Sequence, residues 1–221
     1  MRSGETTVRA LRLPDSVPNT EDGLAAAPSA ARNTAPILAA LRPRLPRRGR
    51  LVELASGMGQ HAAALAAAHP GLRIEPTEPD EARRAIIDAR CFSFPNVAPA
   101  RGLDACAPGW GAAMRADAVL TVNLLHLISD AEMAVLLDEA AQAVVPGGVL
   151  AIYGPFLRNG LPASRGDAAF DADLRRQDAA IGYKDAGAVE QVLALLGFGL
   201  ERIAMPANNL MLVGRRTAPA L

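Results

Sequence analysis

The sequence predicts a doubly wound α/β domain with a mostly parallel, seven-stranded Rossmann-like sheet, closed by a C-terminal antiparallel hairpin. Three observations predict it. Short apolar runs such as Leu51–Leu54 and Ala118–Asn123 alternate with alanine- and leucine-rich helical stretches, the order that builds βαβ units. The first of these runs passes through a small-residue turn, Ala55-Ser56-Gly57-Met58-Gly59, straight into a helical segment. Near the C-terminus, Leu200–Met205 and Leu210–Arg215 flank the turn-forming string Pro206-Ala207-Asn208-Asn209. At 221 residues, 50% of them apolar, the chain fills one domain and leaves little for a second.

Residues 1–30 are polar and aperiodic and read as an N-terminal arm; residues 31–221 read as the domain. Asn33 or Thr34 is placed to cap a helix through Pro36, Ile37, Leu38 and Leu41, stopped by Pro43. Strand one is Arg50–Leu54, and its helix runs from Gly59 to Ala68 before Pro70-Gly71. Strand two, Leu72–Thr77, leads to a helix capped by Asp80, with Ala82, Ala85, Ile86 and Ala89 on its apolar face. Strand three, Val97–Leu103, is interrupted by Pro99 and Gly102. Strand four is Ala118–Asn123. Ser129 and Glu132 form a capping box for the helix through Met133, Leu136, Leu137, Ala140 and Val144. Pro146-Gly147-Gly148 then leads into strand five, Val149–Tyr153. Residues 155–183 are rich in Gly, Asp and Arg without a long apolar face, a length of connection typical of lids and binding segments. A last helix, Asp185–Leu196, ends at Gly197 before the hairpin.

Lys+Arg and Asp+Glu balance at 23 each, so the bulk field gives no reason to expect nucleic acid or an anionic membrane as partner. The arginines between 42 and 50 are broken by Pro43 and Pro46 and read as a solvated linker. Cys91 and Cys106 form no C-x-x-C and suit a reducing compartment. No apolar stretch is long enough to span a bilayer, and Met1 to Pro14 lack the apolar core of a signal peptide. A cytoplasmic protein is expected. The sequence shows no metal-ligand spacing, and the oligomeric state is not legible in it.

Glycines 57 and 59 let the backbone approach a ligand, and the helix start behind them offers free N–H groups. With Ala62 they satisfy the G-x-G-x-x-G/A dinucleotide pattern, so the glycines alone fit NAD as well as a sulfonium cofactor. Glu53 tilts the reading. It stands four residues before Gly57, where a nicotinamide-binding strand usually runs apolar into its turn, and an acid there suits a positively charged ligand. S-adenosylmethionine (SAM), a sulfonium carrying an ammonium group, has that charge. The alternative for Glu53 is a carboxylate that caps nearby N–H groups. Glu78, 19 residues after Gly59, is placed to accept both ribose hydroxyls, a role common to NAD and SAM folds. Asp104 is placed for an adenine amino group or for a simple turn.

These residues resemble the class I SAM-dependent methyltransferases, and more closely the methyltransferase-like 26 family, also catalogued as domain of unknown function 938. The resemblance runs from Ala31 to Arg215. Arg32-Asn33 with Pro36-Ile37-Leu38, Glu53 through His61, and Glu78-Pro79-Asp80 carry its first half. Asn123-Leu124-Leu125-His126, Tyr153-Gly154-Pro155-Phe156, Phe170-Asp171 with Leu174-Arg175, and Met205 through Asn209 carry the second. It implies the seven-stranded methyltransferase fold and a SAM site at Glu53, Gly57, Gly59, Glu78 and Asp104, and it implies no substrate. Two departures stand out. Ala55 replaces the first glycine of many class I enzymes, and Tyr183-Lys184-Asp185 stands where Ile-Arg-Asp is expected.

The cofactor side is therefore assigned to Glu53, Ala55, Gly57, Gly59, Gln60, His61, Glu78, Asp104 and Asn123. Ligands in open α/β sheets lie beyond the carboxyl ends of the strands, which puts His126, Tyr153 and Asn208 on the substrate side. His126 titrates near neutrality in its ordinary state and is the candidate base; a hydrogen-bonded structural histidine is the competing reading, as left-handed turn geometry is for the asparagines. The expected function is SAM-dependent methyl transfer to a small-molecule nucleophile under a 155–183 lid. The rivals are an NAD-dependent oxidoreductase and a SAM-binding or partner-binding protein without catalysis.

Overall fold

Parallel central strands are buried on both faces and so read as continuous apolar runs. β1 (Gly49–Leu54) and β3 (Ala116–Val122) are such runs, and they lie side by side at the centre of the sheet. The structure, a computed structural model, describes residues 24, 25 and 27–217. β2 (Leu72–Pro76), β4 (Val144–Gly154), β7 (Phe198–Ala204) and β8 (Leu210–Arg216) complete a six-stranded sheet of order β2-β1-β3-β4-β8-β7. β2, β1, β3 and β4 run parallel; β8 runs antiparallel to β4 and pairs with β7 as the C-terminal hairpin.

Helices cover both faces. α1 (Pro28–Leu41), α2 (Gln60–Ala68) and α3 (Glu81–Cys91) pack Ile37, Leu41, Leu65 and Ile87 against Leu51, Ile74 and Leu120. α4 (Asp130–Ala143) and α6 (Ala186–Leu195) pack Leu136, Leu137, Val189 and Leu193 against Val52, Val119 and Ile152 on the other face. The Ser129–Glu132 capping box is present as expected, Asp80 caps α3, and Asp185 caps α6.

The seventh strand does not form. Residues 96–101 lie beside β2 and begin a parallel ladder: Ile74 N–H donates to the Asn96 carbonyl, and Ala98 N–H to the Ile74 carbonyl. The next rung needs an N–H from Pro76, which has none, so pairing skips to Arg101, whose N–H donates to Pro76 O. The proline that breaks the strand therefore sits on its partner as well as at Pro99.

α1 begins six residues before Thr34, with Ala27 at its N-cap and Pro28 in its first turn. Asn33 and Thr34 are thus interior residues, not caps, and Thr34 donates back to the Ala30 carbonyl. The expected arm over residues 1–30 lies largely outside the described residues; its described end is the first turn of this helix. Where the sequence shows only a polar excursion over 155–183, the structure has a two-residue strand β5 (Phe156–Leu157), a helix α5 (Arg165–Gln177) and the return strand β6 (Lys184–Asp185), which pairs parallel with β5. Leu174 is the buried anchor of α5. Among the described residues no helix is long and apolar enough to cross a membrane.

Candidate cofactor and substrate site

The β1 ladder to β2 continues past the strand: Thr77 N–H donates to Glu53 O and Ser56 N–H to Thr77 O. The chain must then reverse into α2 within five residues, which it does through left-handed conformations at Ala55 (φ 53°), Gly57 (φ 57°) and Gly59 (φ 75°). Ala55 adopts that geometry without being glycine, so the departure from the usual glycine leaves the turn intact. A Cβ at Gly57 would meet nothing within 4 Å, whereas one at Gly59 would lie 3.1 Å from the Ile87 Cα. Gly57 thus supplies conformation beneath open space, and Gly59 supplies conformation and closeness to α3. Gly59→Ala is expected to cost about 1–3 kcal/mol from strain and overpacking combined, measurable by urea denaturation; an unchanged midpoint would refute the close-approach account.

Glu53 ends β1 with its side chain on the α1–α3 face. It is 1% exposed, and its Oε2 has no hydrogen-bond partner. His61, in the first turn of α2, holds Nδ1 3.9 Å from Glu53 Oε1, and its Nε2 lies 2.8 Å from Oδ1 of Asn33 on α1. Asn33 also hydrogen-bonds the Tyr153 hydroxyl at the end of β4. Burial, helped by the nearby Glu78, pushes the Glu53 carboxyl up to about 8, partly offset by a hydrogen bond with Ser56. Burial likewise pulls His61 down to about 4 and raises the Tyr153 phenol above its ordinary range. A carboxyl with an unused oxygen in a desolvated pocket is what a ligand's ammonium group would complete.

Glu78 lies just past β2, on the other side of the glycine turn. Its carboxylate accepts N–H bonds from Gly57 (3.0 Å) and Asp80 (3.3 Å), with the Arg83 guanidinium 3.8 Å away. Burial still outweighs these and raises its pKa. Two carboxylate oxygens have about four lone-pair positions, so capacity remains for ligand hydroxyls. Asp104 lies in the loop after the broken strand, where Oδ1 accepts from Cys106 N–H at 2.9 Å; the turn role is present there, with the other oxygen not used in that bond. The same loop is tied down by buried Glu139, which accepts from Gly109 and Gly111 N–H.

Gln60 faces away from the glycine turn's open side. Its Oε1 accepts from Ala27 N–H at 2.7 Å and its Nε2 donates to Ala27 O at 3.3 Å. Arg90 donates to the carbonyls of Ala25 and Met58. The chain leading into α1 is thereby strapped to both α2 and the turn, a link that no local pattern in the sequence announces.

A second cluster sits at the ends of β3 and β4. Asn123 adopts a left-handed conformation (φ 57°) and donates its N–H to Tyr153 O. His126 follows in a 3₁₀ turn, 6% exposed, and packs edge-on to Phe170 of α5 and to Tyr183, with centroids 6.0 Å away in each case. Burial first, and then the Lys184 charge, pull His126 down to about 4 against a smaller opposing pull from Asp171. This corrects the expectation of a histidine titrating near neutrality. Asn208, in the β7–β8 turn with φ 60°, donates from Nδ2 to Asp167 of α5 (3.1 Å), while its carbonyl accepts from Arg158. Tyr183 N–H donates to Asp171. α5 is thus held over the carboxyl edge mainly by polar bonds. Lys184, at the position expected to be arginine, pairs with Asp130 at 2.7 Å.

The structure accordingly brings Glu53, His61 and Tyr153 into one patch with Asn33, sets Glu78 across the glycine turn, and gathers Asn123, His126 and Asn208 near α5. Asn33 is the functional candidate that sequence reasoning misses. Its signal is its place on the buried stripe Ala30, Asn33, Ile37 and Leu41, where a polar residue requires a partner. A cleft of about 510 Å³ opens elsewhere, against Lys184, Arg175 and the starts of α4 and α6.

Comparison with known proteins agrees with this architecture. Residues 25–216 match the family described as protein of unknown function (DUF938). An O-methyltransferase family protein from Burkholderia thailandensis is 17% identical with a TM-score of 0.71, over 87% of this chain and 60% of its own. Human N-acetylserotonin methyltransferase in complex with SAM is 17% identical with a TM-score of 0.69, over 84% of this chain and 52% of its own. The YcgJ protein of Bacillus subtilis, at 9% identity and a TM-score of 0.67, is matched over 99% of its length and 85% of this chain. The chain thus spans little more than half the length of the first two structures. It belongs to the DUF938 family and has the fold of the class I SAM-dependent methyltransferases.

Proposed function

We propose that this protein is a SAM-dependent methyltransferase acting on a small-molecule nucleophile, in line with the methyltransferase-like 26 proteins its motifs resemble. One observation carries the reading: a fully buried carboxyl with an unpartnered oxygen, Glu53 Oε2, beside a left-handed glycine turn at the carboxyl end of β1. A nicotinamide dinucleotide has no ammonium group for that oxygen. When bound, SAM supplies an electrophilic methyl group on a sulfonium. Glu53 would hold its ammonium, Glu78 its ribose hydroxyls, and the turn of Ala55, Gly57 and Gly59 would approach its backbone-facing edge, with Asp104 and Asn123 beyond.

Methyl transfer from a sulfonium needs alignment and exclusion of water more than covalent help. Residues 155–183 are suited to the second task, since α5 lies over the site as a lid and brings Phe170 against His126. His126, neutral at pH 7, is available to accept a proton from the nucleophile. Tyr153 and Asn208 flank it on β4 and the β7–β8 turn. Neighbours named as O-methyltransferases favour a hydroxyl acceptor.

Calorimetric titration with SAM, S-adenosylhomocysteine and NAD tests the proposal. Saturable binding of the first two supports it, and binding of NAD alone refutes it. Binding of SAM without turnover over a broad nucleophile panel would assign the non-catalytic role instead. Within this reading, Glu78→Ala is expected to weaken SAM binding by about 1–3 kcal/mol, because ribose hydroxyls lose a buried acceptor. Far-UV circular dichroism should be unchanged; unaltered affinity in the folded variant would remove Glu78 from the site.

A further inference from the structure

We propose that Asn33 is a positioning residue of the cofactor site: it holds His61 in the tautomer whose bare nitrogen faces Glu53, so that Glu53 keeps a proton until a cationic ligand expels it. The inference rests on the SAM-site reading and adds to it the charge state of the site and the residue that sets it.

The geometry leads there in three steps. An amide oxygen only accepts, so the 2.8 Å contact between Asn33 Oδ1 and His61 Nε2 requires the hydrogen on Nε2. A histidine buried as His61 is, and drawn down to about 4, carries a single proton at neutral pH, which leaves Nδ1 as a lone pair. That lone pair lies 3.9 Å from Glu53 Oε1, so an ionised Glu53 would face an acceptor while its Oε2 has no partner at all. The other groups around the carboxyl add no positive charge. Glu78 beyond β2 repels it, Cys91 of α3 is a thiol raised to about 11, Tyr153 of β4 is a neutral phenol, and α1 contributes the Asn33 amide. With two acceptors face to face in a desolvated pocket, the protonated acid is the stable form.

Arrival of an ammonium group reverses the balance. The Glu53 O–H bond breaks, the proton passes to solvent, and the carboxylate pairs with the ligand's ammonium. One positive charge enters as one leaves, so the pocket takes a cation without a net change in charge. A neutral adenosine compound gains nothing from the exchange, which makes the network a charge filter.

Titration of the full chain with S-adenosylhomocysteine at pH 7, in buffers of equal pH and different ionisation enthalpy, reads the proton directly. Release of about one proton per ligand is expected, since a group titrating near 8 is mostly protonated at 7. Asn33→Asp puts a carboxylate on Nε2, favours the imidazolium and gives Glu53 a donor; release should fall toward zero while binding persists. A structural role for Asn33 would alter stability and leave the proton count at one. Should Asn33→Asp not fold, infrared difference spectra serve instead: a carboxylic-acid C=O band lost on ligand addition, and absent in Glu53→Gln, is expected. Binding by the wild type with no proton exchanged, or no such band, overturns this inference and leaves the SAM reading standing. Absence of any binding overturns both.

Discussion

Glu53→Gln is expected to stabilise the ligand-free protein at neutral pH and to weaken SAM binding, two effects of opposite sign from one carboxyl. The ordinary value of 4.5 for the unfolded chain rises to about 8 in the fold. Below 4.5 the group is protonated in both states and contributes nothing to the pH dependence. Between 4.5 and 8 the unfolded chain gives up the proton and the folded chain keeps it, so stability falls as pH rises; above 8 the loss is constant. At about 1.4 kcal/mol per pH unit the full loss is on the order of a few kcal/mol. Glutamine has no proton to hold, so urea midpoints of Glu53→Gln should lack this downward slope between pH 5 and 8.5. Parallel slopes for wild type and variant would assign the titration to another group. Binding should weaken by about 1.5–3 kcal/mol, the loss of a charged hydrogen bond. A protein that keeps a costly buried acid where a neutral isostere would stabilise it is keeping a binding group.

His126→Ala is expected to lower kcat by about 10²–10⁴-fold if His126 removes the nucleophile's proton, with SAM affinity nearly intact. Because burial and Lys184 draw His126 down to about 4, the acidic limb of the wild-type kcat/KM profile should lie near pH 4, well below the usual histidine range, and should be absent from the variant. The ring also packs edge-on against Phe170 and Tyr183, so a modest loss of thermal stability accompanies the kinetic effect. Loss of SAM affinity together with stability, at unchanged kcat, would show that His126 holds α5 in place and does not act on the substrate.

The cofactor side was the more legible part of the site because its signals are local. Glu53, Gly57, Gly59 and Glu78 sit in short strings whose geometry follows from a strand end, left-handed glycines and the next strand end. Gln60 and Asn33 were not legible in that way. The side chain of Gln60 is committed to Ala27, 33 residues earlier, and Asn33 meets His61 across the α1–α2 contact. Pro36 contributed to the misreading of α1: a proline near a helix start and one in the third turn look alike until the helix is seen to begin at Pro28. The shortfall from seven strands to six came from Pro76, whose effect falls on the strand beside it and not on its own.

What the sequence by itself determined is the order of strands and helices, the doubly wound plan with its antiparallel end, and the acids and glycines at two strand ends, all of which follow from periodicity, capping and backbone freedom along the chain. The tertiary structure alone decided protonation and partnership: that Glu53 is buried beside a bare imidazole nitrogen, that His126 is held far below neutrality by burial and Lys184, and that α5 folds over the carboxyl edge through Asp167 and Asp171. Those properties depend on desolvation and on charges brought close from distant positions, quantities that exist only once the chain has packed.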